Sequence, residues 1–92
     1  MSKQVMCINK RGGHYSAHER IQAIGGVLNN ARWKDAEDTA IKNVERDKTS
    51  YYTSVNGRNV WIIVAVHNGR KYLKTANDGY APDNLLSLPE CP

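Results

Sequence analysis

The chain has 92 residues, of which 40% are hydrophobic and 24% are charged, and its formal net charge is +4. This length predicts a single domain, residues 1–92, with a modest core and little room for a deep cofactor pocket, and the ordinary composition argues against disorder. No stretch approaches the roughly 20 apolar residues of a membrane span, and the N-terminus lacks the apolar segment of a secretory signal. We therefore expect a cytoplasmic protein in which Cys7 and Cys91 are reduced thiols.

The charges are segregated along the chain. Residues 1–34 carry six basic and one acidic side chain, and residues 48–77 carry five basic and no acidic ones. Residues 35–47 carry five acidic and two basic side chains, and residues 78–92 carry three acidic and no basic ones. This pattern predicts a surface with distinct positive and negative regions. The alternative, which the sequence leaves open, is that the fold mixes these charges into a merely solubilising surface.

A strand and a short helix are the first predicted elements. Gln4–Asn9 is β-prone, and the turn-like segment Lys10–Gly13 follows it. Ser16–Glu19 matches the capping box that begins many helices. Apolar residues follow at helical spacing, and Gly25-Gly26 is predicted to end the helix because glycine tolerates the left-handed exit conformation.

A second helix is predicted after a connector at Val27–Lys34, which carries Asn29-Asn30 and the large side chain of Trp33. Asp35 is a good N-cap residue, and acidic residues in the next turn favour a helix start. The predicted apolar stripe of this helix consists of Ala36, Ala40, Ile41 and Val44.

Ser50–Thr75 predicts a three-stranded antiparallel meander, because two Asn-Gly pairs divide a run of β-prone residues. The pairs are Asn56-Gly57 and Asn68-Gly69. Asn-Gly is the strongest short-range hairpin signal, since both central residues of a type I′ turn need positive φ. Such turns fix the register, so that Val55 is expected opposite Arg58.

Alternation with period two then sorts the side chains of the meander onto two faces. The face predicted to be the core carries Tyr51, Thr53, Val55, Val60, Ile62, Val64, Val66 and Leu73. The other face carries Tyr52, Ser54, Asn59, Trp61, Ile63, Ala65, His67, Arg70, Tyr72 and Lys74. Three aromatic rings and several cations are unusual on the solvent face of a two-layer domain, so we expect something to cover this face.

Three interpretations of this aromatic and basic face stay open. Its rings could stack nucleic-acid bases while the cations neutralise phosphates. It could bind a protein partner, because Trp, Tyr and Arg are enriched in interface hot spots. The segment Tyr80–Leu88 could instead fold back over it. This C-terminal segment is punctuated by prolines, so we expect it to be ordered and extended, with one short turn at Pro82–Leu86.

The predicted fold class is therefore α+β, as a two-layer domain in the order β-α-α-β-β-β. Two helices are expected on one face of an antiparallel sheet, with the C-terminal segment alongside. The position of the first strand in the sheet stays open.

No catalytic or metal-binding constellation is apparent. Zinc prefers closely spaced pairs of N and S ligands, whereas His14 and His18 flank the predicted helix start and Cys7 and Cys91 lie near opposite ends. A Cys–His nucleophilic pair is equally weak, because a thiol buried in a strand is inert. We therefore expect neither an enzyme nor a cofactor nor a bound metal.

Two stretches carry a resemblance. INKRGGHYSAHERIQAIGG and YLKTANDGYAPDNLLSLPECP resemble a family of small bacterial proteins catalogued as a domain of unknown function. In length, basic character and overall sequence, the chain also resembles phage-encoded anti-CRISPR proteins of the type I-F class. That second resemblance implies a non-enzymatic inhibitor, in the cytoplasm of a bacterial host, that binds protein subunits or guide RNA of an RNA-guided surveillance complex and blocks target DNA recognition.

The residues expected to bind this partner come from the analysis of the meander and the basic N-terminal region, since no family motif supplies them. They are Arg58, Trp61, Arg70, Lys71, Tyr72, Lys74, Lys10, Arg11 and Arg32. A monomer is favoured. The alternative function is a housekeeping bacterial module that binds RNA or protein and has no link to CRISPR.

Overall fold

The structure, a computed structural model, describes residues 2–11, 20–55, 57–76 and 83–92. These residues form seven strands, one ten-residue helix and one four-residue helix. The strands are β1 (Lys3–Gln4), β2 (Cys7–Lys10), β3 (Ile21–Leu28), β4 (Ala31–Ala36), β5 (Tyr51–Val55), β6 (Arg58–His67) and β7 (Arg70–Thr75). The helices are α1 (Glu37–Arg46) and α2 (Asp83–Leu86).

The strands form two sheets. One has the order β1-β5-β6-β7 and the other the order β2-β3-β4. The β1–β5 pair is parallel, and the other pairs of adjacent strands are antiparallel. The α+β fold predicted from the sequence is therefore wrong, because the described residues are mainly β and contain one helix of substantial length. Helix α1 packs against β3 and β4 of one sheet and β6 and β7 of the other.

The predicted first strand contributes to both sheets. The amide of Val5 donates to the carbonyl of Tyr52 (2.8 Å), and the amide of Met6 donates to the carbonyl of Gly25 (2.8 Å). The chain therefore changes its neighbour between Val5 and Met6, and β1 and β2 lie in different sheets. This switch answers the question that the sequence left open, and it joins the two sheets covalently.

The predicted first helix is wrong where the structure describes it, because Ile21–Leu28 is the central strand of the three-stranded sheet. The capping box at Ser16–Glu19 lies outside the described residues. Gly25 and Gly26 do not end a helix. Because they lack side chains, they allow Cys91 and the main chain of Gln4 to lie close to β3. A Cβ at Gly25 would lie 3.0 Å from Cys91 Sγ, and one at Gly26 would collide with the main-chain oxygen of Gln4.

A second hairpin accounts for the predicted connector. Asn29 and Asn30 have φ values of 52° and 65°, and Leu28 pairs with Ala31 across them. Asparagine is one of the few residues other than glycine that tolerate the left-handed region, so two in succession can form a type I′ turn. Val27–Lys34 thus comprises the end of β3, the turn and the first four residues of β4, and the connector prediction is wrong.

Helix α1 begins one residue later than predicted. Its N-cap is Ala36, which makes no side-chain capping bond, and Asp35 belongs to β4. The predicted stripe is otherwise confirmed, since Ala40, Ile41 and Val44 are buried. Burial of this stripe against strands of both sheets provides the main apolar contact between helix and sheet.

Both hairpins of the meander have the predicted registers. Val55 lies opposite Arg58 and His67 opposite Arg70, and Asn68 and Gly69 have φ values of 52° and 77°. Asn56 lies outside the described residues, as does the side chain of Val55. The predicted core face is buried at Tyr51, Thr53, Val60, Ile62 and Leu73, half-buried at Val64 and exposed at Val66. Val66 is 64% exposed, so the core ends before the tip of β6.

The C-terminal segment packs against β2 and β7. Asp83–Leu86 forms the short turn predicted there, but the segment is only partly extended. Leu85 is fully buried, in the same cluster as Ile8 and Leu73. Beyond it, the amide of Ile8 donates to the carbonyl of Pro89 (3.0 Å).

A disulfide bond joins Cys7 and Cys91, with a Cα–Cα distance of 4.9 Å. The prediction of two reduced thiols is therefore wrong. The cysteines are far apart in the sequence, which concealed the pair. They meet because β2 and the C-terminal segment lie side by side, with Ile8 and Glu90 in a parallel bridge. No helix in the described ranges is long and apolar enough to cross a membrane.

Candidate docking surface

Trp61 is the most exposed aromatic side chain among those predicted to bind a partner. It lies in the middle of β6, directly opposite Tyr52 of β5. The two rings meet edge to face, with centroids 6.4 Å apart and an interplanar angle of 83°. The Trp61 side chain is 44% exposed, so the contact with Tyr52 orients the ring and leaves much of its area in water. The tryptophan is therefore held in place without being buried.

Two further residues extend this surface. Ile63 follows Trp61 on the same face of β6, and Lys74 of β7 lies directly opposite Ile63. Both side chains are half-buried. We call the four residues Tyr52, Trp61, Ile63 and Lys74 the Trp61 surface. It combines two aromatic rings, one aliphatic side chain and one cation.

A cavity of about 640 Å³ lies beside the Trp61 surface. Its lining is contributed by β6, by the C-terminal end of α1 and by the chain just after β7, where the amide of Ala76 donates to the carbonyl of Trp61 (2.9 Å). The lining residues are Val44, Glu45, Lys48, Thr49, Trp61, Ile63, Val64 and Ala76. The cavity is mainly apolar, with charged side chains from α1 and the residues after it, and its volume is in the range of ligand and anchor pockets.

Tyr72, the other predicted aromatic anchor, does not belong to the exposed part of this face. It lies opposite Ala65, further along β6, and only 4% of it is exposed. A ring this buried offers almost no area to a partner. The expectation that Trp61 and Tyr72 both anchor a partner is thus not supported for Tyr72.

Two of the predicted cations are engaged inside the chain. Arg70 Nη2 lies 2.7 Å from Glu37 Oε1, and Arg11 Nη1 lies 3.4 Å from the same oxygen. Arg11 also donates to the carbonyl of Ile21 (2.9 Å). These guanidinium groups join α1 to β7 and to the end of β2, which is a structural role.

Glu37 is a residue whose importance the sequence did not reveal. It is the first residue of α1 and only 2% exposed, and its second oxygen, Oε2, is buried without a hydrogen-bond partner. Its position in the first turn predicted a favourable interaction with the helix dipole, but not burial between two arginines. The missed signal was the pair of basic residues, Arg11 and Arg70, whose charge was assigned to a partner.

Lys71 also pairs within the chain. Its ammonium group lies 2.6 Å from Glu45 Oε2, and the two side chains are 53% and 42% exposed. Exposed ion pairs of this kind contribute about 0–1 kcal/mol. Lys71 is therefore accessible, but it does not present an uncompensated charge.

The remaining predicted cations lie in two separate places. Arg58 is exposed at the start of β6, three residues before Trp61. Lys10 and Arg32 are exposed on the other sheet, at the end of β2 and on β4. The nine predicted residues thus do not form one surface. Trp61 and Lys74 are grouped, whereas Arg58 lies near the Val55–Arg58 turn on the other face of β6, and the others are buried, paired or distant.

The sequence profile of a protein family matches residues 4–89. The chain belongs to the DUF3892 family. The description of that family is a protein of unknown function. No curated protein and no solved structure matches the chain.

The DUF3892 chain has a buried polar group at the junction of its two sheets. The Tyr51 hydroxyl donates to Asp35 Oδ2 (2.6 Å) and accepts a hydrogen bond from Asn43 Nδ2 (2.7 Å). Lys3 lies 3.5 Å from the same Asp35 oxygen and 4.7 Å from the centroid of the Trp33 ring. Burial, assisted by the bond to Asp35, raises the pKa of Tyr51 to about 12. The two hydrogen bonds of the Tyr51 hydroxyl connect β5 to β4 and to α1.

Among the described residues of the DUF3892 chain, no group of three or more His, Cys, Asp or Glu side chains could hold a metal ion. His14 and His18 lie outside them.

Proposed function

We propose that this protein is a non-enzymatic binding protein that docks on a macromolecular partner through the Trp61 surface. The observation that supports this most directly is the 44% exposure of Trp61 beside a mainly apolar cavity of about 640 Å³. Tryptophan is enriched among the hot spots of protein interfaces, which cluster in well-packed pockets. A partner side chain that enters the cavity would remove much of the Trp61 ring from water.

The charges around this surface favour an acidic partner. Lys48, which lines the cavity, is exposed and forms no ion pair with any described residue, and Lys74 adds a second cation to the surface. Cations near an apolar anchor attract a negatively charged surface and increase the association rate. Protein carboxylates or nucleic-acid phosphates would both satisfy them.

As the specific partner we propose a type I-F CRISPR ribonucleoprotein, whose guide–target pairing or rearrangement the bound protein would block. The support is the resemblance of the whole chain to inhibitors of this class, together with its small size and its net charge of +4.

A binding measurement on a purified type I-F complex tests this proposal. We expect binding at micromolar concentration or tighter, and inhibition of target DNA capture. Trp61→Ala should weaken binding by about tenfold or more, as expected for a hot spot. Val66→Ala is the matched control, because Val66 is an exposed apolar residue of the same strand on the opposite face. Absence of binding at micromolar concentration would exclude the CRISPR partner.

One observation favours the alternative of a housekeeping RNA-binding module. The edge-to-face pair of Tyr52 and Trp61 beside exposed cations resembles a platform on which bases stack. Binding of free single-stranded RNA that weakens steeply with salt would support this alternative. The same Trp61→Ala and Val66→Ala variants apply, so the two functions are distinguished by the partner and not by the site.

A further inference from the structure

The outer edge of β4 carries unused main-chain hydrogen-bonding groups. β4 pairs with β3, and no other described strand pairs with it. In a two-residue hairpin the residues that flank the turn, here Leu28 and Ala31, exchange both main-chain hydrogen bonds, and such pairs recur at every second position. The N–H and C=O groups of Arg32 and Lys34 therefore point away from β3.

The same two residues carry positive charge. Arg32 and Lys34 are exposed, and neither forms an ion pair with a described residue. Both line a cavity of about 380 Å³, to which Met6, Val27 and Trp33 contribute apolar surface. Glu90 also lines this cavity, and its carboxylate accepts a hydrogen bond from Asn9 Nδ2 (3.2 Å). Met6 is 42% exposed and Val27 is 47% exposed. Backbone donors, cations and apolar surface thus occur together along one strand edge.

A second copy of this chain is a poor occupant of that edge. Antiparallel pairing of two β4 strands would bring Arg32 and Lys34 of one copy next to the same cations of the other. Like charges directly opposite one another destabilise a strand pair, and basic residues on an edge strand oppose self-association. The charge pattern selects a partner of opposite sign.

The geometry points to an extended acidic peptide of a partner protein, which adds to β4 as an antiparallel strand. Main-chain hydrogen bonds to Arg32 and Lys34 would supply affinity, and carboxylates at alternate positions, directly opposite the two cations, would supply specificity. Apolar side chains between the carboxylates would lie on the other face of the sheet, which carries the half-buried Trp33. This site lies on the three-stranded sheet, so it is separate from the Trp61 surface and does not depend on the function proposed for it.

The test uses a fluorescein-labelled ten-residue peptide of alternating Glu and Val, titrated with the full chain and followed by anisotropy. We expect saturable binding that weakens as salt is added. The double variant Arg32→Glu, Lys34→Glu should weaken binding by at least tenfold. Its control is Lys42→Glu, Arg46→Glu, which changes the net charge equally at two exposed positions of α1. Trp61→Ala should leave this binding unchanged.

Methylation of the peptide backbone tests strand addition without altering the protein. Residues opposite Arg32 and Lys34 direct their N–H groups at β4, so N-methylation of the Glu residues should abolish binding, whereas N-methylation of the Val residues should not. Amide exchange at Arg32 and Lys34 should also slow in the complex. Equal effects of the two methylations, absence of binding at 1 mM peptide, or equal affinity for an alternating Lys-Val peptide or for oligo-dT would overturn the inference.

Discussion

The hydroxyl of Tyr51 donates a 2.6 Å hydrogen bond to Asp35 Oδ2 and thereby joins β5 of one sheet to β4 of the other. The ring of Tyr51 is 1% exposed and stacks on Trp33, with centroids 5.7 Å apart. Because Asp35 is also paired with Lys3, the carboxylate receives both a hydrogen bond and a charge partner. This small polar cluster therefore complements the apolar core in holding the two sheets together.

Tyr51→Phe tests the contribution of this bond. The substitution keeps the stacked ring but removes a donor to a charged acceptor, and it leaves Asn43 without its partner. We expect the free energy of unfolding to fall by about 1–3 kcal/mol, measured by urea denaturation. The control is Tyr52→Phe, at a half-buried neighbour, for which we expect a smaller change. Equal losses in the two variants would contradict a structural role for the Tyr51 hydroxyl.

The pKa of Tyr51 predicts a dependence of stability on alkaline pH. Its pKa is raised from 10.0 to about 12, so the folded state holds the proton more tightly than the unfolded state. The resulting stabilisation is complete below about pH 10 and is lost as the pH rises through about 12. We expect the stability difference between wild type and Tyr51→Phe to shrink across this range. A difference that stays constant from pH 9 to pH 12 would show that the hydroxyl is not protected.

Glu37→Gln tests the buried carboxylate. The substitution keeps the shape of the side chain but removes the negative charge between Arg11 and Arg70. Breaking a buried ion pair costs about 3–5 kcal/mol, and the partial exposure of these arginines reduces that cost. We therefore expect the free energy of unfolding to fall by about 2–4 kcal/mol. Asp38→Asn is the control, since Asp38 is an exposed acid in the same helical turn. Its loss should stay below about 1 kcal/mol.

Reduction of the disulfide should destabilise the chain. Cys7 and Cys91 are 84 residues apart, so their bond closes a long loop and restricts the unfolded state. We expect a loss of about 2–5 kcal/mol on reduction, measured by urea denaturation with and without reductant. The double variant Cys7→Ser, Cys91→Ser should match the reduced protein and should not respond to reductant. A wild-type midpoint unaffected by reductant would contradict this expectation.

Substitutions at Asn30 test the turn that brings β3 and β4 together. Its φ of 65° lies in the left-handed region, which β-branched residues avoid. Asn30→Val should therefore destabilise the chain by about 1–2 kcal/mol, whereas Asn30→Gly should be nearly neutral. Thermal or urea unfolding would measure both. If the two variants were equally stable, the type I′ conformation of this turn would be in doubt.

The parts of the fold predicted correctly are those specified by local chemistry. The turn at Asn68-Gly69 determined the register of its hairpin without help from distant residues. The buried stripe of α1, at Ala40, Ile41 and Val44, followed from helical spacing alone. In both cases the information lies within about ten consecutive residues.

The errors involve partners far apart in the sequence. Ile21 and Ile24 are spaced as in a helix, but both are buried because β3 is covered on both sides, by α1 on one and the disulfide on the other. A strand with two buried faces loses the alternation that identifies it. The disulfide was missed for a related reason, since its cysteines meet only after β2 and the C-terminal segment have paired.

The candidate site was predictable only in part. Register placed Trp61, Tyr72 and Lys74 on one face, which we expected to be covered; Tyr72 is buried, whereas Trp61 is 44% exposed. The pairing of Arg70 with Glu37 did not follow from the register, because it depends on where α1 packs. A residue type alone, such as arginine, does not distinguish an external charge from an internal ion pair.

The contact between the two ends of the described chain constrains synthesis of the protein. Ile8 is fully buried, and its main chain bonds both Pro89 and Cys91. A nascent polypeptide that still holds residues 83–91 within the ribosomal tunnel would therefore leave β2 uncovered and lack Leu85. Completion of the tertiary structure must therefore await release of that segment from the tunnel.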